Sequence, residues 1–138
     1  MEIEKLTKSE LEILTVLWSS DRPLSRAEIL DRSPKRSWKE SSIHLLLNHL
    51  IEKRMIRVNG FAKSGSHYGR TYSPLLSEAE YLAAQIQQIE SFQADQAGTV
   101  TQLFSALLDD SELTDETYQE LERLLQEKRA QKVKKTRR

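Results

Sequence analysis

Apolar residues recur every three or four positions in three segments of the first half of the chain, which is the spacing of a buried helix face. Two capping-box sequences, Thr7-Lys8-Ser9-Glu10 and Ser25-Arg26-Ala27-Glu28, precede the first two segments. In such a box the hydroxyl and the carboxylate each accept a hydrogen bond from a backbone amide that the helix leaves unpaired. The second segment ends near Pro34, because the residue before a proline avoids helical geometry. The apolar positions of these two predicted helices are Leu11, Ile13, Leu14, Leu17, Trp18, Ala27, Ile29 and Leu30.

The third segment predicts a helix from about Trp38 to Lys53. Its expected buried stripe is Ile43, Leu46, Leu47, Leu50 and Ile51. After it, residues 55–59 alternate like a strand, residues 61–68 are rich in Gly, Ser and Lys, and residues 69–74 have the pattern of a returning strand. Three short helices followed by a hairpin predict a winged helix-turn-helix, so the expected fold class is mostly α with a small β-hairpin.

The second half of the chain carries apolar stripes that its own helices cannot enclose. A long acidic helix is predicted to begin at Ser77 and to be interrupted at Gly98, and the last helix is predicted to start at Thr114. Because an open set of amphipathic helices needs an outside partner, we expect this region to form a homodimer. The residues expected in the dimer contact are Leu82, Ile86, Ile89, Phe92, Leu103, Phe104, Leu107, Leu121, Leu124 and Leu125.

The charge pattern divides the chain in the same way. The 138 residues carry 21 basic and 21 acidic side chains, yet residues 34–70 hold eight Lys or Arg and only two acids. Residues 77–127 hold twelve acids and one base, and residues 128–138 hold seven bases and no acid. The predicted parts are a winged-helix DNA-binding domain (1–76), a helical dimerisation region (77–127) and a basic flexible tail (128–138). The excess of basic residues in the segment 34–70 favours a nucleic-acid partner.

The candidate DNA contacts lie on the predicted third helix and in the hairpin. In a helix-turn-helix the second helix of the motif enters the major groove, so its exposed face must offer short polar or basic side chains. Asn48 is the best candidate for reading adenine through its amide. The alternative for the whole face is a helix surface that only contacts solvent. The alternative for Trp38 is packing in the core. The hairpin adds a basic, glycine-containing loop, whose alternative is an ordinary turn. The full set is Trp38, Lys39, Ser41, Ser42, His44, Leu45, Asn48, His49, Lys63, His67 and Arg70.

Other classes of function have little support in the residues. Cysteine is absent, which excludes disulfides, thiolate nucleophiles and cysteine metal sites. His44 and His49 are five residues apart, so they do not share a helix face, and no catalytic or phosphate-binding motif is visible. We therefore expect no enzyme, no metal and no cofactor. No apolar run is long enough to cross a membrane and the amino terminus is polar, so we expect a cytoplasmic protein without a membrane partner.

The chain resembles the penicillinase and methicillin-resistance repressors (BlaI/MecI type) over about residues 4–127. The resemblance is carried by LTKSELEILTVLW, RPLSRAEIL, WKESSIHLLLNHLIEKRMI, GRTYSPLLSEAEYLAAQI and LFSALLDDSELTDETYQELERLL, in that order. It implies a dimeric repressor that binds a palindromic operator in double-stranded DNA.

Three departures from the family pattern affect what the resemblance implies. Leu45 and His49 stand where the family usually has a hydroxyl and an arginine, which puts the operator sequence in question. A sensor protease cuts some members at an Asn-Phe bond, whereas the matching stretch here is about Ala106-Leu107, so such a protease is only weakly implied as a partner. The cysteine-rich metal site of the copper-responsive members is absent.

The sequence thus predicts a homodimeric winged-helix transcriptional regulator, most simply a repressor. The alternative is a winged-helix module that binds a protein and has no sequence-specific DNA binding. The salt dependence of DNA affinity separates the two.

Overall fold

The computed structural model describes residues 3–64, 67–89, 91–92, 97–109 and 112–136, and the side chains of residues 62, 64, 67 and 68 lie outside that description. It contains two compact units, Met1–Phe92 and Gln93–Arg138. The elements of the first unit are α1 (Lys8–Trp18), β1 (Leu24–Ser25), α2 (Arg26–Asp31), a 3-10 turn (Glu40–Ser42), α3 (Ile43–Glu52), β2 (Ile56–Ser64), β3 (His67–Pro74) and α4 (Glu78–Gln87). The second unit holds α5 (Ala97–Asp109) and α6 (Asp115–Thr136). The predicted fold class is confirmed.

The capping boxes fix where the first helices begin. The Thr7 hydroxyl accepts a hydrogen bond from the Glu10 amide at 3.2 Å, and the Glu10 carboxylate accepts one from the Thr7 amide at 2.8 Å. The same reciprocal pair joins Ser25 and Glu28 at the start of α2. Both boxes satisfy backbone amides that have no partner within the helix, so residues close together in the sequence determine where these helices begin.

The sheet has three antiparallel strands in the order β1-β3-β2. The sequence did not indicate β1, a two-residue strand whose Leu24 pairs with Tyr72. The two strands predicted over residues 55–59 and 69–74 are longer in the structure, because β2 and β3 stay paired out to Ser64 and His67. The register shifts between Val58 and Gly60, where Gly60 adopts a φ of +140° that an L side chain rarely takes. The wing of the winged helix is therefore a long, paired hairpin.

One hydrophobic core lies between the first three helices and the sheet. The predicted stripes supply most of it, although Ala27, counted among the apolar positions, is exposed. Helices and sheet each bury one apolar face against the other, which is how a small domain closes its core. The buried apolar residues are Ile3, Ile13, Leu14, Leu17, Leu24, Ile29, Trp38, Ile43, Leu47, Leu50, Met55, Ile56, Tyr72, Leu76, Tyr81 and Ala84.

The third helix begins at Ile43 and not near Trp38 as predicted. Lys39 is extended, and residues 40–42 form a single 3-10 turn before α3 starts. Trp38 consequently lies two residues before the 3-10 turn and outside α3, and its side chain is only 8% exposed. The prediction failed because spacing alone does not distinguish a buried residue inside a helix from a buried residue just before it.

Helix α4 is shorter than predicted and packs on the rest of the first unit. It ends at Gln87, and Gly98 lies near the start of α5 instead of interrupting one long helix. The next residue, Gln88, exchanges two hydrogen bonds with the backbone of Ile3, at 2.6 and 3.0 Å. The indole of Trp18 donates to the Leu76 carbonyl at 2.9 Å, and its ring lies 5.6 Å from that of Tyr81. The first compact unit therefore extends beyond residue 76.

The second unit is a pair of helices that line a common apolar groove of about 520 Å³. The lining residues are Val100, Thr101, Phe104, Leu108, Leu121, Leu124, Leu125 and Lys128. The segment predicted as a basic flexible tail from residue 128 is helical in the structure as far as Thr136, where α6 ends. Lys, Arg, Gln and Ala form helices readily, and basic side chains at a helix's carboxyl end interact favourably with its dipole.

Candidate nucleic-acid interface

Helix α3 presents an exposed face with His44, Leu45 and Asn48, and the segment just before the helix adds further predicted contacts. Lys39, Ser41, His44, Leu45 and Asn48 are exposed, and Ser42 is half-buried. The opposite face packs in the core through Ile43, Leu47 and Leu50. A helix anchored in this way holds its outer side chains in a fixed arrangement, with Leu45 at 58% exposure. Trp38 does not belong to this face, and the guanidinium of Arg36 lies over its ring at 5.5 Å.

Arg26 joins the exposed face, although the sequence did not single it out. It is the first residue of α2, and its guanidinium contacts the imidazole of His44, with 3.1 Å between Nη1 and Nδ1. The contact links the two helices of the helix-turn-helix across the exposed surface. Arg26 follows the Ser25 cap, and that position beside the turn was the only signal that pointed to it.

His49 lies at the edge of α3 that faces α1. Its Nδ1 is 3.6 Å from the carboxylate of Glu10, which is 1% exposed and which also binds the Lys53 ammonium at 2.7 Å. Burial by itself would raise the pKa of Glu10, but hydrogen bonds from Lys53 and the Thr7 backbone, with the charge of Lys53, leave it below its ordinary value. The imidazole therefore neighbours an internal carboxylate, while 43% of its side chain remains exposed. Its contact with DNA stays a prediction.

A second ion pair stands beside the helix-turn-helix. Arg22 binds the Glu28 carboxylate, and this hydrogen bond together with one from the Ser25 backbone lowers the pKa of Glu28 to about 2. Glu28 is also the carboxylate of the α2 capping box. The pair therefore holds the start of α2, and with it Arg26, in place.

The wing contributes a basic and aromatic face. Residues paired across antiparallel strands point to the same side, and so do residues two apart in one strand. Phe61 pairs with Arg70, and Lys63 lies two residues after Phe61, so these three side chains share one side of the hairpin. All three are exposed, Phe61 to 70%. The side chain of His67 lies outside the described residues, so only its position in β3 is known.

The ten predicted dimer-contact residues are all left partly or fully exposed by the single chain. Leu82 and Ile89 are each 53% exposed in the first unit, and Leu125 reaches 63% in the second. Ala106 and Leu107, where the resemblance places a cleavage site, lie inside α5. Within the described part of the second unit no residue is buried. The apolar stripes therefore remain available to a partner.

The described residues hold no cluster of three or more His, Asp or Glu side chains that could bind a metal ion. Among the helices that the structure describes, none is both long enough and apolar enough to cross a membrane.

The chain is similar to known proteins over most of its length. A family model described as "Penicillinase repressor" matches residues 6–127. A protein of Latilactobacillus sakei, "Uncharacterized 16.5 kDa protein in ptsI 3'region", is 28% identical over 127 residues, which cover 91% of this chain and 82% of that protein.

Two solved structures are similar to part of the chain. The Bacillus licheniformis BlaI monomer in complex with the blaP half-operator is 25% identical, covering 58% of this chain and 92% of that one, with a TM-score of 0.42. The Helicobacter pylori ferric uptake regulator Fur is 32% identical over 51% of this chain, with a TM-score of 0.41, and the match spans about half (47%) of the Fur chain.

Proposed function

Because this chain belongs to the penicillinase repressor family and is thus a DNA-binding transcriptional regulator, we propose that it acts as a homodimeric repressor of a palindromic operator. In this proposal α3 reads bases in the major groove, the wing binds the adjacent backbone, and the exposed apolar stripes join two copies. The observation that carries the proposal is the exposed face of α3 in a domain whose wing carries an exposed basic and aromatic face.

The α3 face has the chemistry that base reading needs. Asn48 offers a donor and an acceptor side by side, which is the pattern that adenine presents in the major groove. Leu45, exposed on the same face, suits contact with a thymine methyl group. Lys39 and Ser41 near the amino end of the helix suit phosphate contacts, which set the register of the helix on the duplex. Together these residues favour an operator half-site that contains A·T pairs.

The wing supplies contacts that do not depend on sequence. Lys63 and Arg70 are basic side chains on one side of the hairpin, and Phe61, which pairs with Arg70 and lies two residues before Lys63, is on the same side. Cations on a protruding hairpin bind phosphates, and an exposed aromatic ring beside them can pack on a sugar or in the minor groove. We therefore expect the wing to strengthen binding to any duplex.

Dimerisation supplies the symmetry. An isologous dimer presents two copies of α3 related by a twofold axis, so it binds two half-sites of opposite orientation. The exposed apolar residues of α4 and the unburied stripes of α5 and α6 support this arrangement, because the single chain does not enclose them. A sensor protease remains a weaker part of the proposal, since Ala106-Leu107 is helical and proteases cut most readily in exposed loops.

The test begins with selection of the preferred operator from random duplexes by the full-length protein. Asn48→Ala is expected to weaken operator binding by about 1 to 3 kcal/mol with little change on a random duplex. Lys63→Ala is expected to weaken both duplexes by about the same factor. Gln102→Ala, which removes an exposed amide from α5, serves as the matched control and is expected to change neither affinity.

Two results would contradict the proposal. Equal losses from Asn48→Ala on operator and random duplex would remove base reading from α3. A selection that enriches no sequence, with DNA affinity independent of salt, would favour the protein-binding module instead.

A further inference from the structure

The carboxyl-terminal part of α6 has a chemistry that differs from the rest of its unit. Residues 128–138 hold seven bases and no acid, while the preceding residues of the unit are predominantly acidic. Residues 128–136 are helical and every one of them is exposed. The family match ends at residue 127, so this segment lies outside the part of the chain that the family describes.

Three lysines of this segment form a stripe along one side of the helix. Lys128, Lys132 and Lys135 are spaced by four and three residues, so they stand on one helix face over about 10 Å. The same line continues backward through Leu125 and Leu121, which line the groove with α5. Lys128 is the last residue of α6 in the groove's lining, so the chemistry of this line changes from apolar to basic there.

The length of α6 places the lysines past the end of its neighbour. The 22 residues of α6 make it about 13 Å longer than α5 with 13 residues. Lys128 is the last residue of α6 that lines the groove with α5, so Lys132 and Lys135 lie beyond the groove. Their ammonium groups are therefore presented to solvent by a helix that the groove anchors at its other end.

We propose that this stripe binds the phosphate backbone of double-stranded DNA without reading its sequence, as a contact additional to α3 and the wing. The inference rests on the proposed DNA-binding function. A run of bases that contains no acid is not neutralised by its own neighbours, and its favoured partner is a polyanion with a condensed counterion layer. Lysine suits this role because its compact charge on a flexible stem needs no fixed geometry.

Other partners match the segment less well. A membrane-surface helix needs an apolar face opposite its basic one, and only Ala130 and Val133 are apolar here. A helix seam with a second copy needs the apolar line to continue, whereas it becomes lysine after Leu125. Double-stranded DNA is also the ligand of this family, so the stripe would act on a polyanion already bound by the same molecule.

The experiment uses full-length protein and measures affinity for a random duplex and for the selected operator at several salt concentrations. The stripe variant is Lys132→Gln with Lys135→Gln, and the control with equal charge loss is Arg129→Gln with Lys134→Gln, which lie off the stripe. Glutamine keeps the helix propensity of lysine and arginine. Lys128 is left unchanged because it lines the groove.

The stripe variant removes four lysines from each dimer, and each lost phosphate contact contributes about 0.9 to the log-log salt slope, so the slope is expected to become shallower by about 3.6. Both duplexes are expected to lose the same factor, so the preference for operator persists. The control is expected to change the slope by less than half as much. Sedimentation at the same salt is expected to show unchanged association of both variants.

Four outcomes would overturn the proposal. Two concern DNA binding: an unchanged salt slope in the stripe variant, or equal losses of affinity in both double variants. The third is dissociation of the stripe variant's dimer without a change in slope. The fourth is that the stripe variant loses binding to phosphatidylglycerol vesicles while its duplex affinity stays constant. Failure of the proposed operator function is recognised separately, by a selection that enriches no sequence and by Asn48→Ala without effect.

Discussion

The two compact units use the same periodicity of apolar residues with opposite results. In the first unit the stripes of α1, α2 and α3 close on one another and on the sheet, and Ile13, Leu14, Ile29 and Leu50 are completely buried. In the second unit α5 and α6 carry equally regular stripes, yet none of their residues is buried. Periodicity thus predicts where helices form, but burial requires a further layer.

The further layer of the first unit comes from residues distant in sequence. β3 brings Tyr72 beneath the helices, and α4 adds Tyr81 and Ala84. The second unit has only two helices and no comparable layer among its described residues. A second copy of the chain would provide it, which is why the homodimer belongs to the proposal and not to the description of a single chain.

The largest expected effect comes from opening the closed core. Leu14→Ala removes a completely buried side chain and is expected to destabilise the first unit by about 2 to 5 kcal/mol. The measurement is chemical denaturation followed by tryptophan fluorescence, because Trp18 and Trp38, the two tryptophans of the chain, both lie in the first unit. Leu11→Ala, at a partly buried position of the same helix, is expected to cost less. Equal costs would contradict the difference in burial.

The next effect concerns the open stripe of the second unit. Leu125→Glu places a charge on a side chain that is 63% exposed in the single chain, so it disturbs that chain little. In a dimer the charge would be buried without a partner, and we expect association to weaken by about 2 to 4 kcal/mol. Sedimentation over a concentration series measures the change.

The matched control is Leu45→Glu, since Leu45 is 58% exposed on α3. This variant is expected to associate normally and to lose DNA affinity, because a carboxylate would approach the phosphates. Leu125→Glu is expected to leave tryptophan fluorescence unchanged. If both variants associate as the unchanged protein does, the stripes of the second unit do not form the dimer contact.

The sequence predicted the parts of the fold that depend on neighbours along the chain. Capping boxes and apolar spacing located α1, α2 and the body of α3. The start of a capped helix depends on hydrogen bonds between residues three apart, and its buried face depends on the spacing of apolar residues within the same helix. It missed β1, since a two-residue strand exists only through its pairing with β3. It also placed the end of α4 too late, because Gln88 is held by the distant backbone of Ile3.

The candidate site shows the same limit. The exposed face of α3 followed from its buried face, and it carries His44, Leu45 and Asn48. Lys39 and Ser41, predicted on the same helix, precede it. The burial of Trp38, the contact of Arg26 with His44 and the position of His49 beside Glu10 depend on packing between helices. Spacing within one helix contains no information about which neighbouring helix a side chain meets.

A smaller effect is expected at the carboxylate between α1 and α3. Glu10→Gln keeps the shape of the side chain but removes the charge that Lys53 and the Thr7 backbone bind, and we expect a loss of about 1 to 3 kcal/mol near neutral pH. The folded chain holds the pKa of Glu10 below its unfolded value. The stabilisation is therefore complete above the unfolded value and disappears as the pH falls through the folded one.

The measurement is the stability difference between the unchanged protein and Glu10→Gln over a pH series, followed by tryptophan fluorescence. The difference is expected to shrink on acidification below about pH 4. His49→Gln serves as the control, because it removes the imidazole beside this carboxylate and leaves the charge of Glu10 in place. A difference that stays constant from neutral to strongly acidic pH would show that the charge of Glu10 contributes nothing.

The smallest effect is expected where the chain leaves α3. Arg54 has a φ of +60°, and the amides of Arg54 and Met55 bond the carbonyls of Ile51 and Leu50, which is a Schellman ending with arginine in the position usually held by glycine. Arg54→Gly relieves the left-handed strain but adds freedom to the unfolded chain, so we expect a net gain of about 0.5 to 1 kcal/mol. Arg57→Gly, an exposed arginine of β2 with ordinary geometry, is expected to lower stability instead, because glycine weakens a strand. Tryptophan fluorescence during denaturation compares the two, and a loss of stability in Arg54→Gly as large as that in Arg57→Gly would show that the left-handed position carries no strain. Association is expected to be unchanged in both variants, since the gain belongs to the closed unit and leaves the stripes of the open one as they were.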